Sequence, residues 1–168
     1  MLPVIILKLL VLQSPKKHTC IFHTGITRMT QKYAIIRFFY MYGRTGIAGE
    51  LFTVGGGFIK NMLDAMIERR DIKPLIVVAA TFDNGNEPQD FARSVEELSV
   101  FHNDFRDALL PFIDSHFNTN ASRNSRACSG FSLGAVTTWY EFCYNNDLIK
   151  YFLPLSGDWS CKKNCLNG

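Results

Sequence analysis

The 168-residue chain has no surplus of one charge: 18 Lys+Arg stand against 15 Asp+Glu, a net +3 spread along the sequence. A basic stripe able to follow a phosphate backbone is therefore missing, which argues against nucleic acid as a partner. No apolar run reaches the roughly 18 residues that a membrane-spanning helix needs, so no membrane span is expected. No repeat, low-complexity block or Pro/Gly/Ser-rich linker divides the chain, and one unit is expected. Cysteine is sparse and odd in number. Cys20, Cys128, Cys143, Cys161 and Cys165 cannot all pair within the chain, and 168 residues can bury a core without covalent staples. Cys161 and Cys165 lack the second short spacing and the His partners of a zinc site, so no metal is expected and their state, thiol or disulfide, stays open.

What is present is an ordinary globular composition, 47% hydrophobic and 20% charged. Residues 1–16 form a segment of their own. Their apolar part, MLPVIILKLLVL, reads either as an N-terminal strand or as a weak signal-like segment; no Lys or Arg precedes it, Lys8 interrupts it and no clean cleavage site follows. Residues 17–168 read as one domain. Within it Ala34–Tyr40 is a strand candidate, followed by a loop carrying Gly43, Gly46, Gly49 and Gly55–Gly57. Phe58–Arg69 has helical period, with Phe58, Ile59, Met62, Ala65 and Met66 assigned to one face. Leu75–Ala80 (LIVVAA) suits a strand buried on both faces.

Between Gln89 and Phe117, Phe91, Val95, Leu98, Phe101, Phe105, Leu109 and Phe112 recur at helical spacing, with a break near Pro111. Arg126–Phe131, Ala135–Tyr144 and Tyr151–Leu155 then read as strand, helix and strand. The alternation implies an α/β fold with three layers around a mostly parallel sheet. In such sheets chemistry gathers outside the carboxyl ends of the strands.

At one such end stands Gly130-Phe131-Ser132-Leu133-Gly134, a G-x-S-x-G sequence between a strand and a helix. A nucleophilic serine there needs a turn tight enough to push its oxygen out of the sheet, and flanking glycines let strand and helix approach. The Leu133 N–H at the start of the helix would point to the same place and could stabilise an oxyanion. Three fixed positions recur by chance in about one chain in twenty of this length, so the strand-turn-helix setting is what makes the match informative.

The stretch Arg126–Asp158, with GFSLGAVTTWY around Ser132 and FLPLSGDW at Phe152–Trp159, resembles the feruloyl and acetylxylan esterases of carbohydrate esterase family 1, an esterase D-like branch of the α/β-hydrolases. QKYAII, KNMLDAMIERRDIKPLIVVAATF and FRDALLPFIDSHF upstream are similar to that family's preceding segments. The resemblance implies an α/β-hydrolase fold and hydrolysis of esters on plant cell-wall polysaccharide such as xylan, with an ester-bearing polysaccharide or hydroxycinnamate ester as substrate. It further implies an acyl-enzyme on Ser132, no metal or organic cofactor, and secretion if the family habit holds. Localisation is otherwise open, since the sequon Asn120-Ala121-Ser122 matters only in a secretory pathway.

Two departures qualify the match. Where the family's oxyanion loop has a His-Gly-Gly type sequence, this chain has Tyr42-Gly43-Arg44, so Gly43 is the residue that would carry the second donor. Trp159 would wall a substrate cleft. The larger departure is in the triad. Family members carry Ser, acid and His in that order, yet none of the 36 residues after Ser132 (168 − 132) is His. His18, His23, His102 and His116 all precede it, and the latter two read as helix residues outside any site. Asp158 reads as part of a strand-end turn. The expectation is therefore a serine esterase scaffold shortened after the nucleophile region, incomplete on its C-terminal side, with an exposed sheet edge open to self-association. A non-catalytic remnant that binds carbohydrate or has no function is the alternative.

Overall fold

The computed structural model describes residues 8–12, 21–22, 34–41, 58–80 and 91–158. In chain order these form β1 (Lys8–Leu12), β2 (Ile21–Phe22), β3 (Ala34–Met41), α1 (Phe58–Glu68), β4 (Leu75–Ala80), α2 (Phe91–Asp104), a π-turn (Phe105–Leu109), α3 (Leu110–His116), a 3-10 turn (Arg123–Ser125), β5 (Arg126–Ser132), α4 (Leu133–Asn145) and β6 (Tyr151–Leu155). The six strands form one sheet in the order β2-β1-β4-β3-β5-β6. All pairs are parallel except β1 with β2. Helices joined to a mostly parallel sheet are what the alternating sequence pattern called for. The run LIVVAA sits between β1 and β3, and Ile76, Val77, Val78 and Ala80 are buried, which is why it carries no polar alternation.

Two apolar stripes differ from their sequence reading. Among the α1 residues whose burial is described, Leu63 and Ile67, four apart, are buried, whereas Met62 is half exposed. The seam of this helix thus runs one residue along from the face assigned by spacing, because Phe58–Met66 offers two overlapping apolar stripes and only packing chooses between them. In the second helical region the core residues are Leu98, Phe101, Phe105, Leu110 and Ile113, not Leu109 and Phe112, which are only partly buried. The π-turn explains the shift: the Leu110 N–H donates to the Phe105 carbonyl, five residues back, so one extra residue enters the turn and moves the buried face along by one. Pro111 follows at once, with no N–H to continue the ladder.

β5 begins at a buried ion pair. The Arg126 Nη2 lies 2.6 Å from Asp114 Oδ2, with the Arg126 side chain 8% exposed and that of Asp114 23%. Thr119 Oγ1 donates to the other Asp114 oxygen at 2.7 Å, and Arg126 Nη1 donates to the Leu148 carbonyl. The pair fastens the end of α3 to the start of β5. On the other flank of β5 lies β6, the end strand of the sheet among the described residues, with Pro154 at its middle position, which an edge strand tolerates. Tyr151, Leu153 and Leu155 alternate outward and are exposed.

Removing one partner of the pair leaves a buried guanidinium whose Nε already lacks a partner. Asp114→Ala is therefore expected to cost about 3–5 kcal/mol of unfolding free energy, read from urea melts with unchanged m-value. A loss below about 1 kcal/mol would mean that the pair is solvated.

Candidate active site

β5 turns into α4 at a single residue. Ser132 is both the last residue of the strand and the N-cap of the helix, with φ 56 and ψ −120. Among the described residues only Arg70 and Ser156 share positive φ without being glycine. An L-residue is disfavoured there, so the surrounding structure must hold it. The hydroxyl of Ser132 does not cap the helix it precedes, and the residue is half-buried rather than sealed. The strain thus delivers a side-chain oxygen to the carboxyl end of the sheet without consuming it in a local hydrogen bond.

What holds the bend is the enclosure of the helix that follows. Gly134, Ala135, Val136, Thr137 and Thr138 are all buried, so the first two turns of α4 are packed against protein. Two threonines at full burial would be costly if their hydroxyls went unpaired. Thr137 Oγ1 donates to the Leu133 carbonyl at 3.0 Å and Thr138 Oγ1 to that of Gly134 at 2.8 Å, so the helix satisfies its own polar groups. The N–H groups of Leu133 and its neighbours have no intrahelical acceptor and no side-chain cap. They gather partial positive charge beside Ser132.

The opposite end of α4 is anchored by Arg106, on the π-turn. Its Nε donates to Asn145 Oδ1 at 2.9 Å, and its Nη2 to the Tyr144 carbonyl at 3.1 Å and Asp147 Oδ1 at 2.5 Å. A cation on the helix C-terminus suits the dipole. The hydrogen bond from Arg106 also holds the Asp147 carboxyl below the usual carboxylate range. Asn145 Nδ2 donates in turn to the His102 carbonyl at 2.9 Å and to the buried Glu141 at 2.6 Å. Apart from the Asn145–Glu141 bond within α4, these contacts join residues about forty positions apart and have no local signature in sequence.

Ser132 and Leu133 stand next to each other at the junction of β5 and α4. The Ser132 register partner on β3 is Met41, two residues before Gly43; Gly43 itself and Trp159 lie outside the described residues, as do His18 and His23. Asp158 is exposed on the turn after β6. His102 stacks on Tyr144 with ring centroids 4.0 Å apart and more distantly on Tyr140. Those residues lie seven and eleven positions beyond Leu133, about 10 and 16 Å along the helix axis, so His102 sits at the wrong end of α4 to reach Ser132. His116 ends α3, exposed and stacked on Phe112. Neither histidine joins the site. Cys128 is a buried thiol whose Sγ donates to Thr138 Oγ1, whereas Cys143 is in a disulfide whose other half lies outside the described residues.

Comparison with known proteins fits this geometry. Over 111 residues, 60% of the chain, it is 36% identical to endo-1,4-beta-xylanase Y of Acetivibrio thermocellus, of which the match covers 10%. A solved structure of FAE superposes on 79% of the chain with a TM-score of 0.65 and 31% identity. The feruloyl esterase module from Clostridium thermocellum, solved as a serine-to-alanine mutant complexed with sinapinate, superposes on 77% with a TM-score of 0.63 and 29% identity. The chain is thus similar to feruloyl esterases over most of its own length. It spans 46% and 45% of those two structures' chains. A CE1 ferulic acid esterase from Anaeromyces mucronatus, solved with ferulic acid, shares the fold over 75% of the chain with a TM-score of 0.63 at 18% identity. No family model matches the chain.

Burial lowers the His102 pKa first of all; the Ser99 carbonyl, which accepts from its Nδ1–H, offsets this in part, and the Arg106 charge adds to the lowering. The folded state therefore sheds a proton that the unfolded chain still holds just below pH ~6.5, and stability falls as pH drops through that window. His102→Phe keeps an aromatic ring in the stack and removes the titration. Its melting temperature is expected to vary less than that of the parent between about pH 6.5 and 5; an unchanged slope would show that other groups carry the acid sensitivity.

Proposed function

We propose that this chain is a serine carboxylic-ester hydrolase of the three-layer α/β-hydrolase type, directed at hydroxycinnamate esters on xylan, with Ser132 as nucleophile. The observation that carries the reading is the backbone of Ser132, φ 56 and ψ −120, at the centre of Gly130-Phe131-Ser132-Leu133-Gly134. Ser132 Oγ would bond to the ester carbonyl carbon while its proton passes to a base. The carbonyl oxygen, now anionic, would lie toward the Leu133 N–H, and Gly43 is the proposed source of a second donor. Collapse breaks the ester C–O bond and releases the alcohol with a proton. Water then cleaves the acyl-enzyme to free acid and restores the serine. The substrate class is supported by the relatives: a xylanase in one case, and structures holding sinapinate or ferulic acid in others. Trp159 is the proposed wall of the substrate cleft.

Among the described residues none is placed to take the Ser132 proton. Among the described residues no histidine approaches Ser132, and none of the 36 residues that follow it is His. The second reading is a non-catalytic scaffold, in which no base reaches Ser132. The two readings part on the reactivity of one hydroxyl. A positioned general base contributes about 10²–10⁴-fold, so the 168-residue chain is expected to react slowly with a fluorophosphonate probe and to accelerate in proportion to added imidazole, which supplies the base from solution. Mass spectrometry should find the label on Ser132, and Ser132→Ala should abolish it. Labelling that is absent with and without imidazole would favour the non-catalytic scaffold.

A further inference from the structure

The turn after β6 closes directly on the elbow, and it does so at a glycine. A Cβ placed on Gly157 would stand 2.5 Å from the carbonyl oxygen of Ser132 and 3.1 Å from the backbone N of Val136, and would collide with Cβ of Ala135. These three atoms lie on both sides of the strand-to-helix junction. The carbonyl belongs to the strained residue, and the other two belong to the first turn of α4. Both backbone contacts are fixed groups, unable to swing aside as the tip of a long side chain can.

The neighbouring strands prepare the contact. β5 and β6 are parallel, with Phe131 opposite Leu155, so Ser132 and Ser156 leave the sheet at the same level. Both do so at positive φ, 56 and 57, two of the three non-glycine residues that adopt it among the described residues. Ser129 Oγ donates to the Leu153 carbonyl at 2.7 Å, tying the two strands together three residues before they turn. The bend at Ser156 is what carries Gly157 sideways onto the elbow. The glycine is then required by close approach, not by its own φ.

We propose that Gly157 is a positioning residue for Ser132: the absent side chain lets the post-β6 turn lie against the Ser132 carbonyl and the first turn of α4, holding the elbow in its strained form. A side chain there would have to push the elbow peptide off the turn, taking the Ser132 side chain and the Leu133 N–H out of register with each other. Its catalytic meaning rests on Ser132 being the nucleophile, so the test reads the chemistry of position 132 itself rather than ester turnover.

In the full chain, Ser132→Cys places a thiol on the elbow, and its alkylation by iodoacetamide can be followed across pH by site-resolved mass spectrometry. Buried Cys128, four residues upstream, reports any unfolding. The introduced thiol, next to free helix N–H groups, is expected to titrate below the ordinary ~8.5 of a free cysteine. Adding Gly157→Ala is expected to move that profile back up and to slow alkylation at neutral pH at least about fivefold, the loss expected for roughly one pH unit of lost thiolate stabilisation. Cys128 should stay protected. Ala135→Gly in the same background removes one of the three clashes and should recover part of the reactivity.

A reactive thiol whose rate and pH profile ignore Gly157→Ala would overturn the positioning role alone. An unreactive thiol in the parent would overturn both that role and the nucleophile assignment. If Gly157→Ala exposes Cys128 and Ala135→Gly fails to restore protection, Gly157 serves the fold in general and the proposal is likewise overturned.

Discussion

A strand that becomes a helix within one residue can do so only if that residue accepts a backbone angle that L-amino acids avoid. In this protein the residue is Ser132, and much of the surrounding structure can be understood as what keeps it there. The strand before it is zipped to β3 on one side and β6 on the other, up to the position of the bend. The helix after it is buried from its first turns. An element held so firmly at both ends leaves the single residue between them to absorb the change of direction.

That constraint explains several choices of residue type. Thr137 and Thr138 are poor helix formers by propensity, yet their hydroxyls bond back to the carbonyls of Leu133 and Gly134, so the helix can be pressed flat on the sheet without leaving buried polar groups unpaired. Arg106 and Asn145 fasten the far end of the same helix, and Arg126 with Asp114 fastens the near end of the strand. The elbow is thus the free vertex of a frame whose other corners are tied by charge-assisted bonds. None of those ties touches Ser132, and this separation leaves its oxygen available for chemistry.

Much of this was legible in the sequence, and the parts that were not share one cause. Leu75–Ala80 and Tyr151–Leu155 were read at their observed bounds because each is an apolar run bounded by turn residues or Pro. The serine was legible because Gly130 and Gly134 mark a tight turn by composition alone. α4 starts at Leu133, two residues before the Ala135 expected from period, because Gly134 reads as loop when it is in fact inside the first turn. The buried faces of α1 and of the region after the π-turn slipped by one residue, since periodicity fixes a stripe only to within its width and an inserted residue is invisible to it. β2 is two residues long and carries no period at all. Arg106, Asn145 and Gly157 escaped notice because their meaning lies in contacts across twenty to forty residues of chain. The alternation of strands and helices and the tight turn at Ser132 are local properties; the contacts that support that turn are not.

The account stands or falls on whether Ser132 is strained, and comparing two substitutions at that position measures this. In Ser132→Ala the hydroxyl is gone and the positive φ remains; in Ser132→Gly both the hydroxyl and the steric penalty are gone. If the bend is as described, the glycine variant is more stable than the alanine variant by about 1 kcal/mol or more in urea unfolding, since glycine alone takes that backbone angle freely. If glycine is instead less stable than alanine by about 0.5–1 kcal/mol, the ordinary result inside a regular strand or helix, residue 132 is unstrained and the elbow does not exist.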